Sequence, residues 1–571
     1  MHKALALVLV LAACASRSSS QRAPAQPAIA QAPASPHTGH APLTRWTSLE
    51  TAAEGAMLFD DLGPLHRKIT TNNAGAQRYF DQGLRLLFAF NHDEAARSFA
   101  KATLLDPQCA MCLWGVAYAL GPNYNVPMLP DRFALAWTAL QKARAAAPHA
   151  TPIERALIDA LARRYVGPEP HGPEAQRPLN IAYADAMREV ARQFPLDADV
   201  QVLTAEAGMD VNPWKLWRKD GTPAPGTTDI VTRLERVIAK HPDHPGANHF
   251  YIHAIEASPY PEKALPSARR LPGLMPGAGH IVHMAAHIYQ RVGMYDEAAQ
   301  ANRQAIDVDR AYLAKTTPPG YYPMYIGHNY GFLAYAASMQ GRSHEALAAS
   351  REAAEAIPPQ MLDMMPGMDF FPSEPLLVMV RFGRWDDLLA EPRPDPRYHA
   401  MTGLWLHATG MALAAKGRVD EAEAKLSELR TLSSKVPPTE QAANNTTRAI
   451  LAVGEKALEA RIAEARKDPA ALQLWAQAVA LEDQLVYAEP ADWFYPLRHF
   501  QGAALLAAKQ PRKAEAVFRE DLERHPNNGW ALSGLAQALR AQNKRKQAAQ
   551  VENQLARAWR KADIRPITAA R

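Results

Sequence analysis

Residues 76–109 read AQRYFDQGLRLLFAFNHDEAARSFAKATLLDPQC, and this stretch decides the fold. Its first half contains a small residue, Gly83, and its second half places Ala95 four residues before Phe99. Small residues let two antiparallel helices approach closely, and an aromatic ring fills the space between them. Pro107 ends the second helix, because proline lacks the backbone N–H that a continuing helix needs. The stretch therefore predicts a pair of antiparallel helices.

The same spacing of small, aromatic and proline residues returns along the chain. Near the C-terminus it is carried by Gly502, Ala514, Phe518 and Pro526. Further units are marked by Ala264 and Pro276, by Ala298 and Ala305, by Ala346, Ala353 and Pro358, and by Ala422. The pattern resembles the tetratricopeptide repeat, whose units are helix pairs of about 34 residues. The resemblance predicts an all-α solenoid of antiparallel helix pairs, interrupted by irregular insertions.

The regularity of the repeat also suggests how the chain is divided. The spacing is interrupted at 121–128, 213–227 and 316–325, and insertions in solenoids form loops that often lie beside the binding face. The stretch 360–400 departs from the pattern altogether. We therefore expect a tetratricopeptide-like solenoid with a histidine-lined groove at 46–359, an irregular connection at 360–400 and a second solenoid arm at 401–571.

The first residues carry features of an export signal. Residues 1–13 combine a basic start with an apolar stretch of about ten residues, too short to span a bilayer. The stretch ends in Leu11-Ala12-Ala13-Cys14, which resembles the bacterial lipobox. The resemblance implies a signal peptide at 1–13 and a lipid on the thiol of Cys14, and an ordinary secretory signal is the alternative. Residues 14–45 are rich in Ser, Ala, Pro and Gln, which predicts a flexible tether.

The signal sequence and the net charge together suggest where the protein is located and which partners it lacks. No aspartate follows Cys14, so by resemblance to bacterial lipoproteins we expect anchoring to the outer membrane, facing the periplasm. The formal net charge is +5 over 571 residues, and no basic block concentrates it. Nucleic-acid binding requires such a basic surface, so the sequence speaks against a nucleic-acid partner.

Histidines recur at the repeat spacing in the middle of the chain. His249 and His253 are four residues apart, which places them on one face of a helix. His283 and His287 have the same spacing and follow the first pair by 34 residues. The two pairs therefore occupy equivalent positions on the first helices of neighbouring repeats, which resemble the ligand-contacting positions of tetratricopeptide proteins.

Three further side chains belong to the same region. His280 and His328 lie near the starts of their units, and Glu256 shares the face of His253. Neighbouring first helices pack about 8–10 Å apart, so imidazoles from both can reach one ion. Imidazole suits zinc, copper or iron, and the sequence predicts such an ion as cofactor. The predicted metal ligands are His249, His253, Glu256, His280, His283, His287 and His328.

The alternative for these histidines is a polar groove that binds a peptide through hydrogen bonds without a metal. Nothing in the sequence identifies a general base or a substrate pocket, so we predict no catalytic residue and expect a binding protein rather than an enzyme. The leading hypothesis is a membrane-anchored periplasmic scaffold that engages an unknown protein or peptide, with a histidine-ligated metalloprotein as the competing one.

Cys109 and Cys112 are the other two cysteines of the chain, at the start of a predicted helix. A disulfide that staples the first helical turn, binding of a soft metal ion, and redox chemistry at a helix N-terminus all remain open. Covalent haem attachment is excluded, because no histidine follows Cys112.

Most of the mature chain also resembles a group of bacterial repeat lipoproteins. The resemblance is carried by FDQGLRLLFAFNHDEAARSF, DPQCAMCLWGVAYALGPNYN, GAGHIVHMAAHIYQRVGMYDEA, EPADWFYPLRHFQGAALL and FREDLERHPNNGWALSGLAQALR. It implies the helical-repeat fold and no particular activity.

Overall fold

The computed structural model describes residues 46–317, 320–357, 359–364 and 367–570. The predicted signal peptide (1–13), Cys14 and the predicted tether (14–45) lie outside the described residues. The described chain is an all-α solenoid built from antiparallel helix pairs, as the repeat pattern predicts. Its strands are two-residue segments, β1 (Gln441–Ala442) and β2 (Asn445–Thr446), which pair antiparallel.

The helices follow one another with short turns between the members of each pair. The first group comprises α1 (Leu49–Ala52), α2 (Ala74–Phe88), α3 (His92–Leu105), α4 (Ala110–Ala119), α5 (Phe133–Ala146), α6 (Pro152–Leu161), α7 (Pro173–Gln193), α8 (Ala198–Met209) and α9 (Thr227–Lys240). The second group comprises α10 (Pro245–Ile255), α11 (Leu265–Leu274), α12 (Gly279–His283), α13 (Ala285–Arg291), α14 (Tyr295–Lys315), α15 (Tyr322–Met339), α16 (Ser343–Glu355), α17 (Pro359–Met364), α18 (Glu374–Phe382) and α19 (Trp385–Ala390).

The third group comprises α20 (His399–Ala415), α21 (Val419–Lys435), α22 (Thr447–Ala465), α23 (Ala471–Glu482), α24 (Arg498–Ala507), α25 (Pro511–Arg524), α26 (Gly529–Ala541) and α27 (Arg545–Ala558). Short 3-10 turns lie at Pro130–Arg132, Ala147–His149, Ala162–Arg164, Pro261–Ala264 and Met368–Ser373. None of the helices in the described part of the chain is both long enough and apolar enough to cross a membrane.

The small residues of the repeat allow the helices to pack around an aromatic ring. Phe99 on α3 is fully buried between Gly83 on α2 and Gly115 on α4. A methyl group added at Gly83 would lie 2.6 Å from the Phe99 ring, and one at Gly115 would lie 2.4 Å from it. Such distances are shorter than van der Waals contact, so only glycine permits this approach of the three helices.

The same arrangement recurs near the C-terminus. Phe518 on α25 is fully buried between Gly502 on α24 and Gly534 on α26. A methyl group at either glycine would lie 2.2 Å from that ring. The helices near both ends of the chain therefore pack through the same residue types at the same spacing.

Helices continue through the stretch predicted to be irregular. Residues 360–400 contain the end of α17, a 3-10 turn, α18 and α19, and α18 packs on both α16 and α20. Contacts place residues 46–570 in one compact unit. The described chain therefore passes from the N-terminal to the C-terminal repeats without a break in packing.

Two of the predicted insertions are free of helix. Residues 121–128 lie between α4 and α5, and residues 213–226 lie between α8 and α9 with an isolated bridge from Trp217 to Pro223. In the third, residues 316–325, α15 already begins at Tyr322. This last boundary differs from the prediction because Tyr322, at the start of α15, is buried against Tyr312 of α14 and packs as part of a helix.

Candidate metal centre

Six imidazoles converge at one place between three successive helix pairs. We call this set the histidine cluster: His249, His253, His280, His283, His287 and His328. The first two come from α10, the next three from α12 and α13, and the last from α15. The members of the first two groups are 0–2% exposed, and His328 is half-buried. The predicted histidine-lined groove is therefore a buried interior rather than an open surface.

The first triad of the cluster consists of His249, His253 and His280. A nitrogen from each lies within 4.8 Å of the other two. The ring centroids of His249 lie 5.0 Å from His253 and 5.1 Å from His280. Three nitrogens this close can reach one ion after small rotations of the side chains.

The hydrogen bonds of the first triad leave Nε2 of each ring without a partner among the described residues. His249 Nδ1 lies 2.6 Å from the carbonyl oxygen of Phe88, to which it donates. His253 Nδ1 donates to Glu256 Oε1 at 3.2 Å. Among the described residues, neither ring has a hydrogen-bond partner for Nε2, and His280 has none for either nitrogen. An anchored Nδ1 with a bare Nε2 is the usual state of a histidine that binds a metal ion.

The second triad consists of His283, His287 and His328, again with one nitrogen of each within 4.8 Å of the others. His283 Nδ1 lies 2.6 Å from Asn302 Oδ1. Asn302 Nδ2 donates to the carbonyl oxygen of Ala298 at 2.8 Å, which fixes the amide so that its oxygen faces His283. His283 therefore donates from Nδ1 and keeps a lone pair on Nε2.

The two Nε2 atoms of the second triad face one another. His283 Nε2 and His287 Nε2 are 2.9 Å apart. His287 Nδ1 lies 2.9 Å from Glu256 Oε2 and 2.9 Å from Glu489 Oε2, so its hydrogen points to the carboxylates. The raised pKa of His287 leaves a hydrogen on its Nε2 as well as on Nδ1, and Nε2 donates it to His283 Nε2. Two nitrogens bound at about 2.1 Å to a tetrahedral ion are about 3.4 Å apart, so an ion between these rings would replace that hydrogen and move the rings slightly apart.

Glu256 connects the two triads. Its Oε1 accepts from His253 of the first triad, and its Oε2 lies beside His287 of the second. Burial favours the protonated carboxyl, but the adjoining His287 and His253 outweigh it and lower the pKa of Glu256 to about 2. Glu256 is thus a carboxylate that orients one ring in each triad.

Glu489 supports the second triad from a distant part of the sequence. Besides His287, it accepts a hydrogen bond from the Tyr487 hydroxyl, and Arg291 Nε lies 3.8 Å from its Oε1. Glu256, His287 and Glu489 also form a third group of donor atoms within 4.8 Å. An ion held by Glu256, His287 and Glu489 would bind His287 through Nδ1. It would therefore displace the hydrogen that His287 Nδ1 donates to the two carboxylates.

Burial sets the protonation of most of the cluster. It lowers the pKa of His249, His280 and His283 well below the usual value, and it lowers that of His328 to about 3. These rings are neutral at pH 7, and neutral imidazole is the form that binds metal ions. For His287 burial acts in the same direction, but Glu256 and Glu489 outweigh it and raise the pKa to about 9.

Histidines elsewhere in the chain show what a structural role looks like. His407 is fully buried, with Nδ1 2.9 Å from the Gly454 carbonyl oxygen and Nε2 2.7 Å from the Tyr495 hydroxyl. His499 bonds Asp521 Oδ2 through Nε2 at 2.9 Å. His92 Nε2 lacks a partner in the described chain, but it belongs to none of the donor groups found there. Nitrogens without a partner distinguish the first triad, and donor atoms gathered in threes distinguish both triads from these other histidines.

Aromatic rings close the space around the cluster. Phe90 stacks on His253 with centroids 5.6 Å apart, and Phe332 lies 4.7 Å from His283. Tyr325 covers His280 at 4.6 Å. Of the two other tyrosines in that insertion, Tyr322 donates to Asp309 and Tyr321 lies against Asn123, so Tyr325 alone among these three is in ring contact with a cluster histidine.

A cavity of about 440 Å³ lies next to the cluster. It is lined by both helix-free insertions and by residues after β1 and before α24, including Tyr124, Trp214 and Tyr487. The rings of Tyr124 and Trp214 lie 5.2 Å and 6.0 Å from His253. The cavity is therefore one layer of aromatic side chains away from the first triad.

The two cysteines lie apart from the histidine cluster. Cys109 and Cys112 are joined by a disulfide bond at the start of α4 and are fully buried. Cys109 is the N-cap of that helix, and its sulfur accepts from the Cys112 N–H. The arrangement corresponds to the staple among the three alternatives that the sequence leaves open.

Three supporting groups escaped the sequence reasoning: Glu489, Asn302 and the carbonyl group of Phe88. Glu489 lies 202 residues beyond His287 in sequence, and Phe88 lies 161 residues before His249. Their proximity depends on how distant repeats fold together, which no local spacing encodes. Asn302 is only 19 residues beyond His283, but an asparagine in a helix carries no distinctive sequence signal.

No protein-family model and no curated protein sequence matches this chain. Among solved structures, a human IFIT1 dimer with m7Gppp-AAAA is similar at 13% identity and a TM-score of 0.34, over 91% of this chain and 99% of that one. The APC/C hetero-tetramer Cut9-Hcn1 is similar at 14% identity and 0.32, over 86% and 78%. The P58(IPK) TPR domain is similar at 13% and 0.22, over 82% and 99%. These likenesses concern the helical-repeat fold alone.

Proposed function

We propose that this protein binds two divalent transition-metal ions, one in each histidine triad. The observation that carries the proposal is the pattern of anchored Nδ1 and bare Nε2 atoms in His249 and His253, together with the facing Nε2 atoms of His283 and His287. An unpaired buried polar atom costs about 1–3 kcal/mol, and a metal ion would satisfy several of them at once.

The donor set narrows the kind of ion. Three imidazole nitrogens suit zinc, copper or iron, whereas magnesium and calcium prefer oxygen ligands. Three protein ligands leave a fourth position open at a tetrahedral ion. Such an ion can polarise a bound molecule or activate water, and the chain's own part is to hold the imidazoles in place and exclude solvent.

The metal content of the protein purified without an affinity tag tests this proposal. We expect close to two equivalents of zinc, copper or iron per chain, and a large loss in the double variant His283→Ala, His287→Ala. His407→Ala is the matched control, because it removes a buried histidine whose nitrogens both have protein partners. Equal metal content in the double variant and in the wild type would refute the proposal.

A binding scaffold is the second candidate function. Helical-repeat proteins present extended binding surfaces, and the cavity of about 440 Å³ between the insertions offers a place for part of a protein or peptide partner. Because the cluster histidines are buried, a partner would contact the insertions rather than the imidazoles. Partner capture that persists in the chelator-treated, metal-free protein would support this function.

We also propose that the protein is exported and anchored to a bacterial membrane through a lipid on Cys14, facing the periplasm. The lipobox-like Leu11-Ala12-Ala13-Cys14 supports this. Labelled palmitate should enter the wild-type protein expressed in a Gram-negative host but not Cys14→Ser. Labelling of both proteins, or of neither, would contradict the anchor.

A further inference from the structure

A narrow cavity borders the first triad at His280. Besides His280 it is lined by Phe59, Leu86, Ala89, Tyr312 and Tyr322, none of which lines the cavity beside Trp214. Its volume is about 20 Å³. One water molecule occupies about 10–15 Å³ of a cavity, so a cavity of this size is on the scale of a very small molecule.

The walls of this narrow cavity are mainly apolar. Its two tyrosine hydroxyls are engaged elsewhere, since Tyr312 donates to Glu94 at 2.7 Å and Tyr322 donates to Asp309 at 2.6 Å. Phe59, Leu62 and Leu86 contribute hydrocarbon side chains. Asn91 also lines the cavity, so a guest would find polar contacts at Asn91 and its metal-coordinating contact at His280.

His280 is the member of the first triad with the fewest ties. His249 is anchored to a backbone carbonyl and His253 to Glu256, whereas neither nitrogen of His280 has a partner in the part of the chain that the structure describes. An ion in the first triad would lie next to His280, and its open coordination position is reached most directly through the cavity that His280 lines.

Larger molecules meet a closed wall on the other side. The cavity of about 440 Å³ is separated from His253 by Tyr124, which is 3% exposed, and by Trp214. The two rings stack on each other with centroids 5.3 Å apart. A molecule in the large cavity cannot touch an ion in the first triad unless this pair separates.

We propose that an ion in the first triad takes its additional ligand from the narrow cavity, and that this ligand is restricted to molecules of one or two heavy atoms, such as water or a diatomic gas. The inference rests on the proposed metal binding. It adds the substrate class: the centre reacts with very small molecules and excludes organic ones from direct coordination.

Carbon-donor ligands of increasing size test this restriction on the copper(I)-loaded protein without oxygen. The double variant His283→Ala, His287→Ala removes the facing pair of the second triad and leaves the three histidines of the first triad in place. Carbon monoxide, methyl isocyanide and tert-butyl isocyanide are then added, and infrared spectra report coordination. We expect carbon monoxide to bind at one equivalent per chain and tert-butyl isocyanide to bind at least 100-fold more weakly.

Two plugging variants check the route. Ala89→Leu fills the narrow cavity, and Phe59→Trp narrows its half-buried mouth should the first variant fail to fold. Either should reduce carbon monoxide binding at least tenfold while copper content stays at the wild-type level. Ala443→Leu, which intrudes on the large cavity instead, should leave it unchanged.

The outcomes separate the two proposals. Tight binding of tert-butyl isocyanide, or unchanged carbon monoxide binding in a folded plugging variant, overturns the size restriction while copper binding still stands. A wild-type chain that takes up neither copper nor zinc, with the fold intact by circular dichroism, overturns the proposed metal binding and this inference with it.

Discussion

At the scale of single residues, the surroundings of each imidazole decide its role. His407 and His249 are both fully buried on first helices of their pairs, yet both nitrogens of His407 have protein partners and Nε2 of His249 has none among the described residues. A buried nitrogen without a partner is costly, so its recurrence in His249, His253 and His280 supports the proposed ligand of the first triad. The carboxylates around the cluster then determine how firmly each ring is held.

Glu256 should affect the binding of both metal ions, because its Oε1 accepts a hydrogen bond from His253 and its Oε2 lies 2.9 Å from His287 Nδ1. Groups that orient metal-binding histidines typically contribute about 10–100-fold to metal affinity. We expect Glu256→Gln to lower the affinity for both metal ions by about that factor, as measured in a chelator competition titration.

Glu489→Gln is the matched comparison, since Glu489 touches His287 but no ring of the first triad among the described contacts. Glu489→Gln should lower the affinity for the ion of the second triad and leave the affinity for the other ion at the wild-type value. If both glutamine variants weaken the same single ion, Glu256 does not join the two triads.

The sequence predicted part of this site. The two pairs of histidines, four residues apart and repeated after 34, indicated a common location for His249, His253, His283 and His287. It did not indicate that the location would be buried, because Phe88, Phe90 and Glu489 cover it from remote repeats. Local periodicity shows which helix face a residue occupies, but long-range packing determines what lies opposite that face.

At the scale of helices, the packing depends on glycines that face aromatic rings. The spacing of Gly83, Phe99 and Pro107 predicted a helix pair, and the structure shows the physical basis in the contact of Phe99 with Gly83 and Gly115. The pattern is strong enough to fix helix pairing from sequence. The bounds of the third insertion were less predictable, because the tyrosines that begin α15 are recruited by burial rather than by the repeat.

Adding one methyl group should disrupt this packing. Gly502→Ala would place a methyl carbon 2.2 Å from the Phe518 ring, and overpacking of this kind typically costs about 1–3 kcal/mol. We expect a decrease of that size in the free energy of unfolding, measured by urea denaturation.

Gly273→Ala on α11 is the control, because no atom of the described chain lies within 4 Å of the added methyl group. Alanine is preferred over glycine in a helix by about 0.5–1 kcal/mol, so this variant should be as stable as the wild type or slightly more stable. Equal effects of the two substitutions would contradict the packing argument.

The start of α18 should make stability depend on pH. Burial raises the pKa of Glu374 from 4.5 to about 8. Between these values the folded chain holds a proton that the unfolded chain has lost, so the free energy of unfolding falls as pH rises. Glu374→Gln stays neutral and escapes this loss, which predicts a gain of about 3 kcal/mol at pH 7 and little change at pH 4.

Thermal or urea denaturation at several pH values between 4 and 8 measures the effect of Glu374. The difference in stability between Glu374→Gln and the wild type should grow with pH over this range. A difference that stays constant would show that the carboxyl group is ionised in the folded protein throughout.

At the scale of the whole molecule, the histidine cluster joins parts of the chain that are far apart in sequence. Its ligands come from three successive helix pairs, its first triad is anchored on the end of α2, and its second on the segment that leads into α24. Metal ions bound there would tie these parts together. A ligand that binds only the folded state stabilises it by about 2.7 kcal/mol when its free concentration is 100-fold above Kd.

Removal of metal should therefore loosen the fold as a whole. We expect a chelator to lower the melting temperature of the wild-type protein, and zinc or copper to restore it. The double variant His283→Ala, His287→Ala should respond less, because one of its two sites is lost. A melting temperature that changes with neither chelator nor added metal would indicate that the cluster does not bind ions in the folded protein.

The number of ions per chain tests the central claim most directly. Native mass spectrometry of the untagged protein, reloaded with zinc after dialysis against chelator, should show the chain with two ions as the main species, falling to one in His249→Ala. A folded chain that stays at its metal-free mass, or one that keeps both ions in His249→Ala, would contradict the account.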